Sequence, residues 1–181
     1  RLIMHRRLFH FNLILGMICL LGACGFHLRG VGTGGPAVPQ EWKNMALITD
    51  NPNGEFSRNV SAQFTANGVQ WTDSDNANFS LVLSPERFEQ RNLSLNTEAR
   101  VSEIELTMSA QFRVLDASKA EVMPPTMVSV VKQMENNPRN VVGKEGEMRL
   151  IQTEMYSELA EQIMRRIAFF AASSQPQPNS P

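Results

Sequence analysis

The clearest pattern in the chain lies at residues 102–114. Ile104, Leu106, Met108, Ala110, Phe112 and Val114 alternate there with Glu103, Glu105, Thr107, Ser109, Gln111 and Arg113. A period of two with one apolar and one polar side predicts a strand whose sheet is covered on one face only. "LDASKAE" then supplies a turn, and 121–133 reads as the antiparallel partner. Pro124 and Pro125 predict a bulge or an edge position near its beginning. Upstream, 43–50 reads as a strand, 69–72 as a short one and 79–88, "FSLVLSPERF", as another. "NPNGEF" and "DSDNAN" supply the turns between these segments.

Elsewhere the period changes. Phe56, Val60 and Phe64 recur every four residues across 56–67, which predicts a helix stopped by Asn67-Gly68. Met148, Ile151, Met155, Leu159, Ile163 and Ile167 recur at three or four residues, a long amphipathic helix over about 145–170. Glu154 with Glu158 and Glu161 with Arg165 fall at i,i+4 on its polar faces. The order of elements predicts an α+β two-layer sandwich. Two helices pack on one face of a roughly four-stranded, mostly antiparallel sheet, and the other face stays polar. This domain is expected over 41–170. The stretch 29–40, "RGVGTGGPAVPQ", holds four glycines and two prolines and belongs to a connector over 24–40. The tail 171–181 has three prolines and no apolar period, and is expected to be disordered.

The first residues follow neither period. Arg1, Arg6 and Arg7 precede or open an apolar run at 8–23. As a helix that run would measure about 24 Å, short of the roughly 30 Å hydrocarbon core of a bilayer. Positive start, short apolar run and small-residue exit together mark a secretory signal. The exit, Leu21-Gly22-Ala23-Cys24, resembles a bacterial lipobox, in which a sulfur at the last position accepts diacylglycerol. The expectation is a signal peptide over 1–23, cleaved to leave Cys24 as the acylated N-terminus. Multiple acyl chains anchor stably where a single one would hold only marginally. Gly25, rather than aspartate, after the cysteine favours the outer membrane.

Composition narrows the chemistry. Seventeen basic residues stand against 18 acidic ones, and loss of the three arginines in 1–23 leaves 14 basic groups. No bulk positive field selects nucleic acid, and the alternating strand offers no aromatic platform for bases. Both cysteines (Cys19, Cys24) and all three histidines (His5, His10, His27) precede residue 28. Zinc sites and histidine triads are therefore excluded from the domain. "GTGG" at 32–35 lacks the lysine of a phosphate loop. Glu103 and Glu105 sit about 7 Å apart on one side of the strand, a spacing near that of glycosidase pairs. They lie on a flat polar surface without aromatic walls, so they are expected to be solvated face. No enzyme and no cofactor is expected. Arg87, Arg91, Arg100, Lys132, Arg139 and Lys144 remain as cations able to meet anionic lipid phosphates.

Four stretches, in order behind the lipobox, carry a family resemblance: "CGFHLRG" at 24–30, "DNPNGEFSRNVSAQFTANGV" at 50–69, "SEIEL" at 102–106 and "NPRNVVGKEGEMRLIQTEMYSELAEQIMRRI" at 137–167. They resemble the LPS-assembly lipoprotein LptE family, also called rare lipoprotein B. The resemblance implies an outer-membrane lipoprotein on the periplasmic side, with two helices on a four-stranded sheet. It implies a one-to-one complex with the LptD β-barrel, whose lumen it plugs and whose folding it supports. It also implies direct binding of lipopolysaccharide and a part in its insertion into the outer leaflet. The family's ligand-contact lysine falls on Lys144. Its other basic contact falls near Thr97, where the charge is absent and Arg100, three residues on, can substitute; Arg139 joins Lys144 in the loop before the long helix. The alternative is a stand-alone periplasmic lipid-binding lipoprotein, which needs a deep apolar pocket between sheet and helices.

Overall fold

The structure is a computed structural model and describes residues 38–95, 97, 101–136 and 141–174. A 3₁₀ turn at Gln40–Lys43 leads into β1 (Asn44–Ile48), followed by α1 (Glu55–Ala66) and β2 (Gln70–Trp71). Then come β3 (Phe79–Leu83), β4 (Arg87–Leu95), β5 (Val101–Asp116), β6 (Glu121–Glu135) and α2 (Val141–Ser173). The α+β class and the two helices agree with the sequence pattern. The sheet does not have four antiparallel strands. Among the described residues it has six strands and is mixed, because β1 runs parallel to both β2 and β3.

The higher strand count has a local cause. The stretch 79–88 is not continuous: Ser84-Pro85-Glu86 interrupts it, since proline has no N–H for a ladder. At the break Ser84 N donates to Gln111 O at 2.8 Å, and Gln111 N donates to the Ser84 hydroxyl at 2.8 Å. A side chain thus replaces the missing backbone partner. β3 pairs with Phe112–Asp116 of β5 and β4 with Val101–Ser109, so the two share one edge of β5 end to end. β6 takes the other edge along its whole length. Among the described strands the sheet is therefore five wide near β1 (β2-β1-β3-β5-β6) and three wide at its far end (β4-β5-β6).

The register of β5 is the one its alternation predicts. Ile104, Leu106, Met108, Ala110, Phe112 and Val114 are buried, while Glu103, Gln111 and Arg113 are exposed. A bulge opposite Phe112–Val114 absorbs Pro124 and Pro125, and among the described strands β6 pairs only with β5, as an edge strand. α1 contributes Phe56, Val60 and Phe64 to the core, and α2 contributes Met155, Leu159, Ile163 and Ile167, all at most 2% exposed. Gly68, at φ +87°, ends α1 in the left-handed region that a side chain would resist.

Both ends of the domain extend beyond the sequence expectation. Val38, assigned to the connector, is buried in the core, and Trp42 stacks on Phe79 with ring centroids 3.9 Å apart. α2 runs on to Ser173, with Ala171 fully buried, so helix replaces the start of the expected tail. The polar face is not open throughout either. Ala46 and Ser80, paired neighbours facing away from the helices, are buried; the face is open over β4–β5–β6.

Candidate functional site: the polar face and the far end of the sheet

Cross-strand partners share a face, so the β4–β5 register sets Arg87 beside Ser109, Glu89 beside Thr107 and Arg91 beside Glu105. Arg91 Nη2 lies 2.9 Å from Glu105 Oε1, and the Ser94 hydroxyl donates to Glu103 at 2.8 Å. β6 adds Ser129 and Gln133, with Met127 and Val131 as exposed apolar points. A shallow cavity of about 390 Å³ opens at the strand break, between Pro85, Arg87, Gln111 and Met127. Glu105 is held by Arg91, so the Glu103/Glu105 pair is not two free carboxylates facing a substrate. Among the described residues no group of His, Cys, Asp or Glu could hold a metal ion. The surface can hydrogen-bond and ion-pair with a polar partner.

The far end of the sheet has another character. Lys144, in the first turn of α2, is half-buried, and its Nζ donates to Asn136 Oδ1 at 2.5 Å. It lines an open cavity of about 470 Å³ together with Glu145, Met148 and Arg149. Leu93 and Leu95 at the end of β4, and Leu150 on α2, are exposed at 38%, 62% and 71%. Cation and uncovered apolar surface therefore occur at the same end of the fold. The leucines escaped the sequence reading because β4, "RFEQRNLSL", has no clean alternation to mark their side. The register shifts at Asn92–Ser94–Leu95 are the physical counterpart.

The remaining cations divide. Lys132 does not face a ligand surface. It projects from the helix-covered side of β6, in the row of Val128, Val130 and Met134, and pairs with Glu158 and, at 3.4 Å, with Glu154. The hydrogen bond to Glu158, with the charges of both carboxylates, raises its pKa above the ordinary lysine value. Arg87 is exposed at the strand-break cavity. Cys24, Arg100 and Arg139 lie outside the described residues; Thr97 is exposed.

A two-layer α+β domain with a filled core, a polar sheet face and an amphipathic end defines a binding or assembly module. A family model described as LptE, lipopolysaccharide-assembly, matches residues 42–167, and the chain belongs to that family. This is a family of lipopolysaccharide-assembly lipoproteins, not a known enzyme family. The chain is 27% identical over 162 residues to LPS-assembly lipoprotein LptE of Pectobacterium atrosepticum, covering 87% of this chain and 84% of that protein. To LptE of Yersinia pestis it is 28% identical over 161 residues, covering 86% and 74%. Among solved structures it is similar to rare lipoprotein B from Shewanella oneidensis, with 26% identity, TM-score 0.64 and coverage of 71% and 96%. Lipoprotein B from Nitrosomonas europaea shares the fold at 19% identity and TM-score 0.68, covering 82% and 94%.

Proposed function

We propose that this chain is an outer-membrane lipoprotein, acylated at Cys24, that plugs the LptD β-barrel from the periplasmic side. In this role it helps the barrel assemble and takes part in lipopolysaccharide insertion into the outer leaflet. The observation that carries the proposal is the polar face of β4–β5–β6, where Arg91, Glu105, Thr107 and Gln111 stand on a sheet otherwise packed beneath helices. A barrel lumen is polar, and hydrogen bonds with charge complementarity would hold such a face inside it. The acyl anchor adds effective concentration. The stand-alone carrier is less well supported, because the space between helices and sheet is filled by Phe56, Phe64, Phe112 and Met155 at no more than 2% exposure. Capture of a large barrel with this chain from detergent-solubilised membranes tests the plug, and its absence would reject it. The intact mass of the membrane-extracted protein tests Cys24.

Lipopolysaccharide is proposed to bind at the far end, its phosphates on Lys144 with Arg139 and Arg100. Lys144→Glu is expected to weaken lipopolysaccharide binding while leaving circular dichroism and barrel capture unchanged. Unchanged affinity at low salt, where electrostatic contacts count most, would remove Lys144 from the site.

A further inference from the structure

One aromatic ring of the domain breaks the rule that the others follow. Trp42, Phe56, Phe64 and Phe112 are buried, and Trp71, Phe79, Phe88, Tyr156 and Phe170 are half-buried. Phe169, by contrast, is 62% exposed on the outer ridge of α2, in the last two turns of the helix. Arg165 and Arg166 precede it by one turn and are exposed as well. Arg165 pairs with Glu161 at 2.5 Å, whereas Arg166 makes no ion pair with a described residue. An exposed ring beside cations on one helix ridge can sit at a lipid headgroup boundary, with the ring in the acyl margin and a guanidinium among phosphates.

A second observation concerns where the chain joins this domain. Val38 is in the core, and Trp42, four residues on, meets Phe170 edge-on with centroids 5.9 Å apart. The beginning of the domain and the last turns of α2 thus occupy the same end, beside Phe169. Cys24 precedes Val38 by 14 residues, which span at most about 50 Å when extended. An acyl group on Cys24 keeps this end within that reach of a bilayer. Leu150 and Lys144 lie about 28 Å or more away along the same helix.

We infer that the C-terminal ridge of α2, centred on Phe169 with Arg165 and Arg166, is a contact surface for the anionic bilayer that carries the anchor. This rests on the acylation of Cys24 proposed above. Contact would orient the domain by holding its tethered end against the membrane.

The test places an environment-sensitive fluorophore at position 169 (Phe169→Cys) or, as control, at 150 (Leu150→Cys), in the processed full chain. Each protein is reconstituted in phosphatidylethanolamine–phosphatidylglycerol vesicles containing nitroxide-labelled lipid. Intact mass first establishes the acyl group, so failure of the anchor is seen separately from failure of the surface. The expected result is a blue shift and quenching at 169 but not at 150, with the quenching lost in Arg166→Glu. Equal, water-like emission at both positions on vesicle-bound protein would overturn the inference. So would a 169 signal already shifted without vesicles, which would mean cover by the chain itself or a second copy. A shift that needs the co-purified barrel would assign the ridge to that partner instead. A free Cys24 thiol would remove the tether and overturn the inference at its premise.

Discussion

The two ends of the sheet are built on different terms. Near β1 the sheet is five strands wide and both helices cover it, with Trp42, Phe56, Phe64, Leu81 and Phe112 closing one continuous core. At the far end β4, β5 and β6 are the described strands that continue beneath the first turns of α2. There Gln90 and Asn92 occupy the helix side of β4 yet remain exposed, because no helix reaches them. Leu93, Leu95 and Leu150 are left to solvent. The near end supplies stability, and the far end presents surface that a self-sufficient domain would have buried. Regions that bind are commonly drawn from the less stable part of a fold for this reason.

The largest test of that division is Phe112→Ala. Its ring is 1% exposed between β3, β6 and the helices, and its loss is expected to cost about 3–5 kcal/mol in urea unfolding. A cost below about 1 kcal/mol would move the centre of stability elsewhere. The opposite sign is expected from Gly146→Ala in α2, where an added methyl meets nothing within 4 Å. Removing the glycine's backbone freedom should stabilise the first turns of α2 by about 0.4–1 kcal/mol. Slower amide exchange there, with β1 and β3 unchanged, checks it. A uniform change across the domain would show that the two ends unfold as one. Leu95→Ser should alter stability by less than about 0.5 kcal/mol, as exposed positions usually do. Under the proposed function it should still lower lipopolysaccharide affinity, measured on the same preparation.

The smallest expected effect lies where the two ends meet. Lys132 has a raised pKa in the folded protein, so its contribution is complete below the ordinary lysine value of 10.5. It is lost as pH rises through the higher folded value. Tyr156 is also raised above 10.0, chiefly by burial and then by Glu86 and Glu55. The folded state therefore holds the tyrosine proton more tightly, and stability falls again as pH exceeds 10. Urea midpoints of wild type, Lys132→Met and Tyr156→Phe from pH 8 to 12 separate the two contributions. A wild-type curve parallel to that of Lys132→Met would deny the lysine any part.

The same division explains what the sequence reveals. β5 is legible to the residue because one side is wholly packed and the other wholly wet, which forces strict alternation. The helices are legible for the same reason, through Phe56, Val60 and Phe64 and through Met155, Leu159 and Ile163. β4 is not, because it is uncovered on both sides over much of its length and no burial constrains its residues to alternate. The parallel pairing of β1 with β2 and β3 is equally invisible, since it depends on which distant edges meet. Lys132 shows the limit for the candidate site. Its type suggests an anion ligand, but its position in the row of Val128, Val130 and Met134 turns it inward to Glu158. Lys144 is singled out by the family resemblance alone, and the exposure of Leu95 and Leu150 is visible only in the structure.

β6 carries a further consequence. It is fifteen residues long and, among the described residues, has a strand partner on one side only, which makes it a template for stacking copies into aggregates. Two features blunt it. Pro124 and Pro125 have no N–H to offer, and Gln162 Nε2 of α2 donates to the Ser129 carbonyl at 3.0 Å. The helix that closes the core therefore also blocks part of a route to fibril-like association. A variant lacking that hydrogen bond, Gln162→Leu, should keep its fold but sediment as larger species when held concentrated without a partner.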